Sequence, residues 1–234
     1  MTTEVQSHGF VLERELCEKV YGATMEEMKG IKYTSKMDLP GKFNRLDNCD
    51  LSIKTSCSPN AVCMADCLRV FDAVGSANNI HLTVIYYLQN DETRTKHVLT
   101  ITEINLTDSQ YALFGTVIRE QLEELVNLVK SIPKKRKPTK EEYANMYSLR
   151  DTLQAQCGAI HLDIKCDSKT QRRLQCSFNR FQQFIEQNPS RVIERSNTNT
   201  FRGGVISSQI VSSRRVFKKV PSTPPPMPPP MLPE

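Results

Sequence analysis

Apolar residues recur at helical spacing over residues 10–21, where Phe10, Leu12, Leu16, Val20 and Tyr21 fall on one side. Residues 51–55 alternate like a short strand, entered through the turn-prone pair Asp47-Asn48. Ser58-Pro59-Asn60 predicts a helix start, and the helix runs to about Val74 with Gly75 closing it. Cys63, Cys67, Val70 and Val74 would then share one buried stripe. β-Branched and aromatic residues over 80–88 and 97–106 predict two strands, and the polar connection 89–95 makes them a hairpin. A long helix follows from about Asp108 to Ile132, with Leu122, Leu125, Val126 and Val129 on its apolar side and Pro133 ending it.

The second half begins with a helix over 139–156 of weaker periodicity. Strands over 160–165 and 173–178, joined by the turn-rich segment 166–170, form a second hairpin, and a short helix spans 178–186. Residues 191–220 are rich in Ser, Asn and Arg, with Gly203-Gly204 and a strand over 205–211. The closing PSTPPPMPPPMLPE holds eight of the 13 prolines and is expected to form an extended, disordered tail. This order predicts an α/β core with an α+β C-terminal extension. The expected parts are a core at 1–132, a basic linker at 133–140, a basic α+β part at 141–220 and the tail at 221–234.

Length and charge refine the picture. At 234 residues the chain fits one large domain or two small ones. No run of 18 apolar residues is present, so no membrane partner is expected, and the N-terminus lacks a signal-peptide pattern. Eight cysteines without an export signal imply reduced thiols and an intracellular protein, in the cytoplasm or nucleus of its host. The cysteines form no CxxC pair and the four histidines, at 8, 81, 97 and 161, are scattered, which argues against a thiolate-held metal, an HNH nuclease and a zinc hydrolase. Residues 1–163 carry 19 basic and 22 acidic side chains, whereas residues 164–220 carry 12 basic and three acidic. A separate run, Lys134-Lys135-Arg136-Lys137, lies between two prolines. An acidic part joined to a basic one suggests a polyanion held by the second and processed by the first.

Phosphodiester hydrolysis needs carboxylates to hold a divalent metal and a cation to position the nucleophile. Candidate carboxylates cluster early: Glu13, Glu15, Asp38 and Asp50. In a strand, Asp50, Ser52 and Lys54 share one face while Leu51 and Ile53 point to the core. At about 3.3 Å per residue, Asp50 and Lys54 lie roughly 13 Å apart, too far to share a ligand. A carboxylate must therefore arrive from another segment, and Asp38 is near enough in sequence to return beside Ser52.

HGFVLERE, KYTSKMD, LSIKTS and MADCLRVF, spread over roughly residues 8–106, together resemble the type II restriction endonucleases of the PD-(D/E)xK superfamily. The Pro-rich tail is similar in style to those of proteins from large DNA viruses of algae. The family resemblance implies a PD-(D/E)xK-like mixed sheet flanked by helices, a homodimer, and Mg2+ as cofactor. It further implies Asp38 as principal metal ligand, Lys54 beside the attacking water and Glu13 as a supporting acid. Ser52 stands where the family has Asp or Glu, so Asp50 or Asp66 would have to supply the second metal ligand. Asp163-Ile164-Lys165, with Asp151 upstream, is a rival match to the same pattern.

The second hairpin suggests a DNA contact. Arg173 and Gln175 would read bases from one face, as a β-ribbon does in the major groove. Lys165, which shares that face, would contact the DNA too, and Lys169, Arg172 and Arg180 would hold phosphates. The expected function is a Mg2+-dependent endonuclease cutting double-stranded DNA at a short specific site. The alternatives are a DNA-binding protein without catalysis and a scaffold that recruits partners through its tail.

Overall fold

The computed structural model describes residues 7–31, 37–90, 92–93, 95–166 and 170–211. The Pro-rich tail and Lys169 lie outside them. The chain has a mixed α/β fold. It opens with α1 (Ser7–Lys19) and a short α2 (Met25–Lys29), then passes through an extended segment into β1 (Asp50–Ser56).

The segment expected as one helix from residue 58 is instead β2 (Val62–Asp66) followed by α3 (Cys67–Val74). Two local features separate them. Ala65 takes a left-handed φ of 79°, and Asp66 caps α3 by accepting the Arg69 N–H at 3.0 Å. Cys63 is therefore exposed on a strand while Cys67 is buried on the helix. The hairpin of β3 (Ile80–Asn90) and β4 (Thr95–Asn105) forms as the alternation predicts.

The expected long helix at 108–132 is broken into α4 (Gln110–Phe114) and α5 (Arg119–Ser131). Gly115 makes the break with φ 59° and ψ −124°, and a Cβ there would meet the Gln156 carbonyl oxygen at 2.0 Å. Beyond the basic segment come α6 (Lys140–Gln154), β5 (Ile160–Lys165), β6 (Arg173–Phe178) and α7 (Phe181–Gln187). Four short strands finish the described chain: β7 (Val192–Ser196), β8 (Thr200–Phe201), β9 (Gly204–Val205) and β10 (Gln209–Val211).

The larger sheet runs β1-β3-β4, with β1 parallel to β3 and β4 antiparallel to it; β10 and β7 pair with opposite ends of β4. A second, antiparallel sheet runs β2-β6-β5. Strands from the two sides of the basic segment thus share both sheets, so residues 141–211 are woven into the fold of the first part. One face of the larger sheet buries Leu51, Ile53, Ile85 and Ile101 under Leu12, Leu16 and Tyr21 of the N-terminal segment and Phe201, Ile206 and Ile210 of the C-terminal one. The other face packs Ile80, Leu82, Val84 and Ile104 against α3 and α5, and this core continues to Phe178, Phe181 and Phe184. β1 forms the sheet's edge, and its outer side is where the candidate chemistry gathers.

Candidate active site

Asp38 reaches the free edge of β1 through backbone pairing. Its N–H and that of Leu39 both donate to the Leu51 carbonyl at 3.0 Å, and Leu51 N–H returns a bond to Leu39 at 2.8 Å. This short antiparallel bridge delivers the Asp38 carboxylate to the next residues of the strand. Its Oδ2 accepts from the Ile53 N–H at 2.7 Å, the Lys54 ammonium at 2.7 Å and the Ser52 hydroxyl at 3.2 Å. Lys54 also donates to the Ile53 carbonyl at 3.1 Å, which bends its chain over the strand edge.

Glu13, on α1, lies near this pair. Burial and, after it, the Asp38 charge raise its pKa to about 7, with Lys54 and Arg14 opposing the shift. One helical turn on, burial and the charges of Glu13 and Asp38 push the Cys17 thiol up to about 12, so it stays protonated and is no nucleophile. The site therefore holds a carboxylate fixed by three donors, an ammonium ion paired to it, and a carboxyl group poised to exchange a proton near neutral pH.

Other expected site residues are not brought here. Asp50 spends one oxygen on the Gly41 N–H at 2.8 Å and the other on Asn78 at 3.1 Å, bracing the turn before β1. Asp66 is the helix cap already described. Ser52 brings no second acid and donates to Asp38. Glu15 accepts from the Ser207 N–H and hydroxyl, tying α1 to the C-terminal segment. At the rival position, Asp163 accepts from Ser177 at 2.7 Å, and Asp151 pairs with Arg150 on the exposed side of α6.

The expected DNA-contact face also differs from its sequence reading. β6 is the middle strand of its sheet, so Gln175 and Ser177 are buried, with Asp66 and Cys63 of β2 opposite them in register. Arg172 is 6% exposed, and its guanidinium donates to the carbonyls of Ile132, at 2.9 Å, and of Pro133 and Arg136. It closes the C-terminal end of α5 instead of facing outward. Arg173 and Arg180 are exposed, Lys165 is half-buried, and the run at 134–137 is exposed.

A second polar cluster escapes the sequence reading altogether. Asp47, Cys49, His81 and Glu103 place one ligand atom each within 4.8 Å of one another, so this largely buried group could hold a metal ion. His81 Nδ1 lies 2.7 Å from Glu103, whose other oxygen accepts from the Tyr21 hydroxyl at 2.9 Å. A guanidinium nitrogen of Arg202, at the tip of the β8–β9 hairpin, meets Asp47 at 2.7 Å and both Glu103 oxygens at 2.8 and 2.9 Å. Burial alone would raise the Asp47 pKa, but hydrogen bonds from Cys49 and the Arg202 charge hold it below the usual range. The chain thus supplies its own cation to this ligand set. The sequence held one hint, a glutamate in the middle of the apolar strand Ile101-Thr102-Glu103-Ile104.

Compared with known proteins, the chain matches no family model, no curated protein and no solved structure. Among the described residues, no helix is long and apolar enough to cross a membrane.

Proposed function

We propose that this chain is a metal-dependent endodeoxyribonuclease of the PD-(D/E)xK type, acting on duplex DNA as a type II restriction enzyme does. One observation carries the reading: Asp38 and Lys54, from separate segments, pair at 2.7 Å at the edge of β1, with Glu13 of α1 near enough to feel both charges. A carboxylate beside an ammonium suits Mg2+, which takes carboxylate oxygens and keeps several waters. Asp38 would hold the ion, which would supply charge stabilisation and a more acidic water.

The chain's own residues would do the rest. Lys54, held by Asp38 and the Ile53 carbonyl, orients the nucleophile and offsets charge developing on the phosphate. Glu13, with its proton released near neutrality, accepts the proton that water gives up. A homodimer would match a palindromic target.

A second reading, DNA binding without catalysis, is favoured by Ser52, which leaves the site one acid short of the family pattern.

Plasmid DNA incubated with Mg2+ or with EDTA separates the two. Discrete fragments are expected with Mg2+ alone, and Lys54→Ala and Asp38→Asn should each abolish them while gel-shift affinity stays within about threefold. Normal cutting by Lys54→Ala would place the chemistry elsewhere; binding without cutting by the native chain would leave the non-catalytic reading.

A further inference from the structure

Away from β1, a cavity of 770 Å³ opens between the start of β5, the loop after β6 and α7. This volume lies within the range of small-ligand sites. Its chemistry is unusual for this chain. Of the residues that line it none is acidic, and five are amides. Two amides are committed to structure. Gln154 donates to the Ile160 carbonyl at 2.9 Å and accepts from the Leu162 N–H at 2.7 Å; Asn188 donates to the Phe184 carbonyl at 2.8 Å.

The others face the cavity with bonding capacity left over. Asn179 accepts from Ser177 at 3.0 Å and keeps its amide N–H groups. Arg180, Gln183 and Gln187 are exposed, and their side chains make no hydrogen bond or ion pair with any described residue. His161 of β5 also lines it.

The donor set selects among ligands. A metal ion would want carboxylates, and none is present. A sugar is commonly held by acids as well as amides, and an inorganic anion by several cations, whereas here one arginine stands among amides. Paired donors and acceptors beside one guanidinium match the edge of a nucleobase: Asn and Gln pair with adenine, Arg with guanine, and the arginine also suits the attached phosphate.

We propose that this cavity binds a single unstacked nucleotide, with Gln183, Gln187 and Asn179 reading the base edge and Arg180 its phosphate. The inference rests on the nucleic-acid reading above, and it makes this cavity, in place of the buried Gln175, the point where base identity is sensed. Enzymes that draw a base from the stack meet it in such polar pockets.

The test uses the full chain in EDTA, so that cleavage plays no part. The probes are the four deoxynucleoside monophosphates and a single-stranded oligonucleotide containing 2-aminopurine. The chain has no tryptophan, so 2-aminopurine emission is read without that background. Emission should change on binding, and one mononucleotide should compete better than the rest. Gln183→Ala with Gln187→Ala, both on the exposed side of α7, should weaken binding roughly tenfold or more. Lys134→Ala with Lys135→Ala should lower affinity evenly for all bases. Unchanged binding by the α7 variant, or equal competition by inorganic phosphate, would overturn the proposal. Base-selective binding by a chain that never cuts DNA would sink the catalytic reading and leave the cavity's role standing. Mg2+-dependent cutting without nucleotide binding would do the reverse.

Discussion

Glu13 sits between two opposing influences, burial with the Asp38 charge on one side and Lys54 on the other. Its pKa near 7 in the folded chain, against an ordinary 4.5, makes ionisation destabilising. Below about pH 4.5 the group is protonated in folded and unfolded chains alike and contributes nothing. As pH rises to about 7 the unfolded chain loses the proton first, so stability falls across that window. Glu13→Gln should therefore raise the melting temperature at pH 8, by at most about 3 kcal/mol of stability, and leave it unchanged at pH 4. Thermal melts at the two pH values check this. Arg202 offers the opposite case, a cation whose removal strands the buried Glu103 and the half-buried Asp47. Arg202→Met should cost about 3 kcal/mol or more. Zn2+, which accepts sulfur, nitrogen and oxygen ligands, should then restore part of the lost melting temperature, whereas Mg2+ should not. No recovery with Zn2+ would mean that Asp47, Cys49, His81 and Glu103 are built for the guanidinium alone.

At the scale of elements, turn chemistry decided which sequence patterns survived folding. Both hairpins were legible because alternation and polar connections are local signals. The helix expected over 108–132 was not, since its apolar spacing runs on past Gly115 while the backbone there does not. Gly115→Ala should lower stability by roughly 2–4 kcal/mol, because a side chain meets both the unfavourable φ and the Gln156 carbonyl. A chemical-denaturation curve unchanged by this substitution would show that the close approach relaxes freely. The same contrast explains what could be read of the sites. Lys54 and Asp38 stand 16 residues apart, within reach of one strand and one return, so strand geometry could nominate both. Asp47 and Arg202 are 155 residues apart, and nothing local in either segment announces the other. Gln175 shows the remaining limit. Its alternation was that of a wet hairpin face, but β2 pairs with β6 and buries it.

The whole molecule raises the question of whether the basic segment separates two folding units. Its flanks suggested so, with acidic residues before it and basic ones after. The connections across it point the other way. β2 finds its partner in β6, and β4 carries β7 and β10 along its outer edge. Arg172 bonds the carbonyls that begin the segment, at Ile132 and Pro133, and one inside it, at Arg136. Each core is also shared: Val62 and Leu125 pack with Leu162 and Phe178, and Leu16 and Ile85 with Phe201 and Ile210. A fragment ending at residue 132 would expose these apolar surfaces and leave Glu103 buried without Arg202. Such a fragment should show no cooperative melt, and the full chain should unfold in one transition seen alike by far- and near-ultraviolet circular dichroism. Two separate transitions in the full chain, with the fragment reproducing one of them, would establish independent units. In that case the acidic and basic parts could be assayed apart; on the shared sheets and cores described above, the Glu13–Asp38–Lys54 edge and the amide-lined cavity fold or fail together.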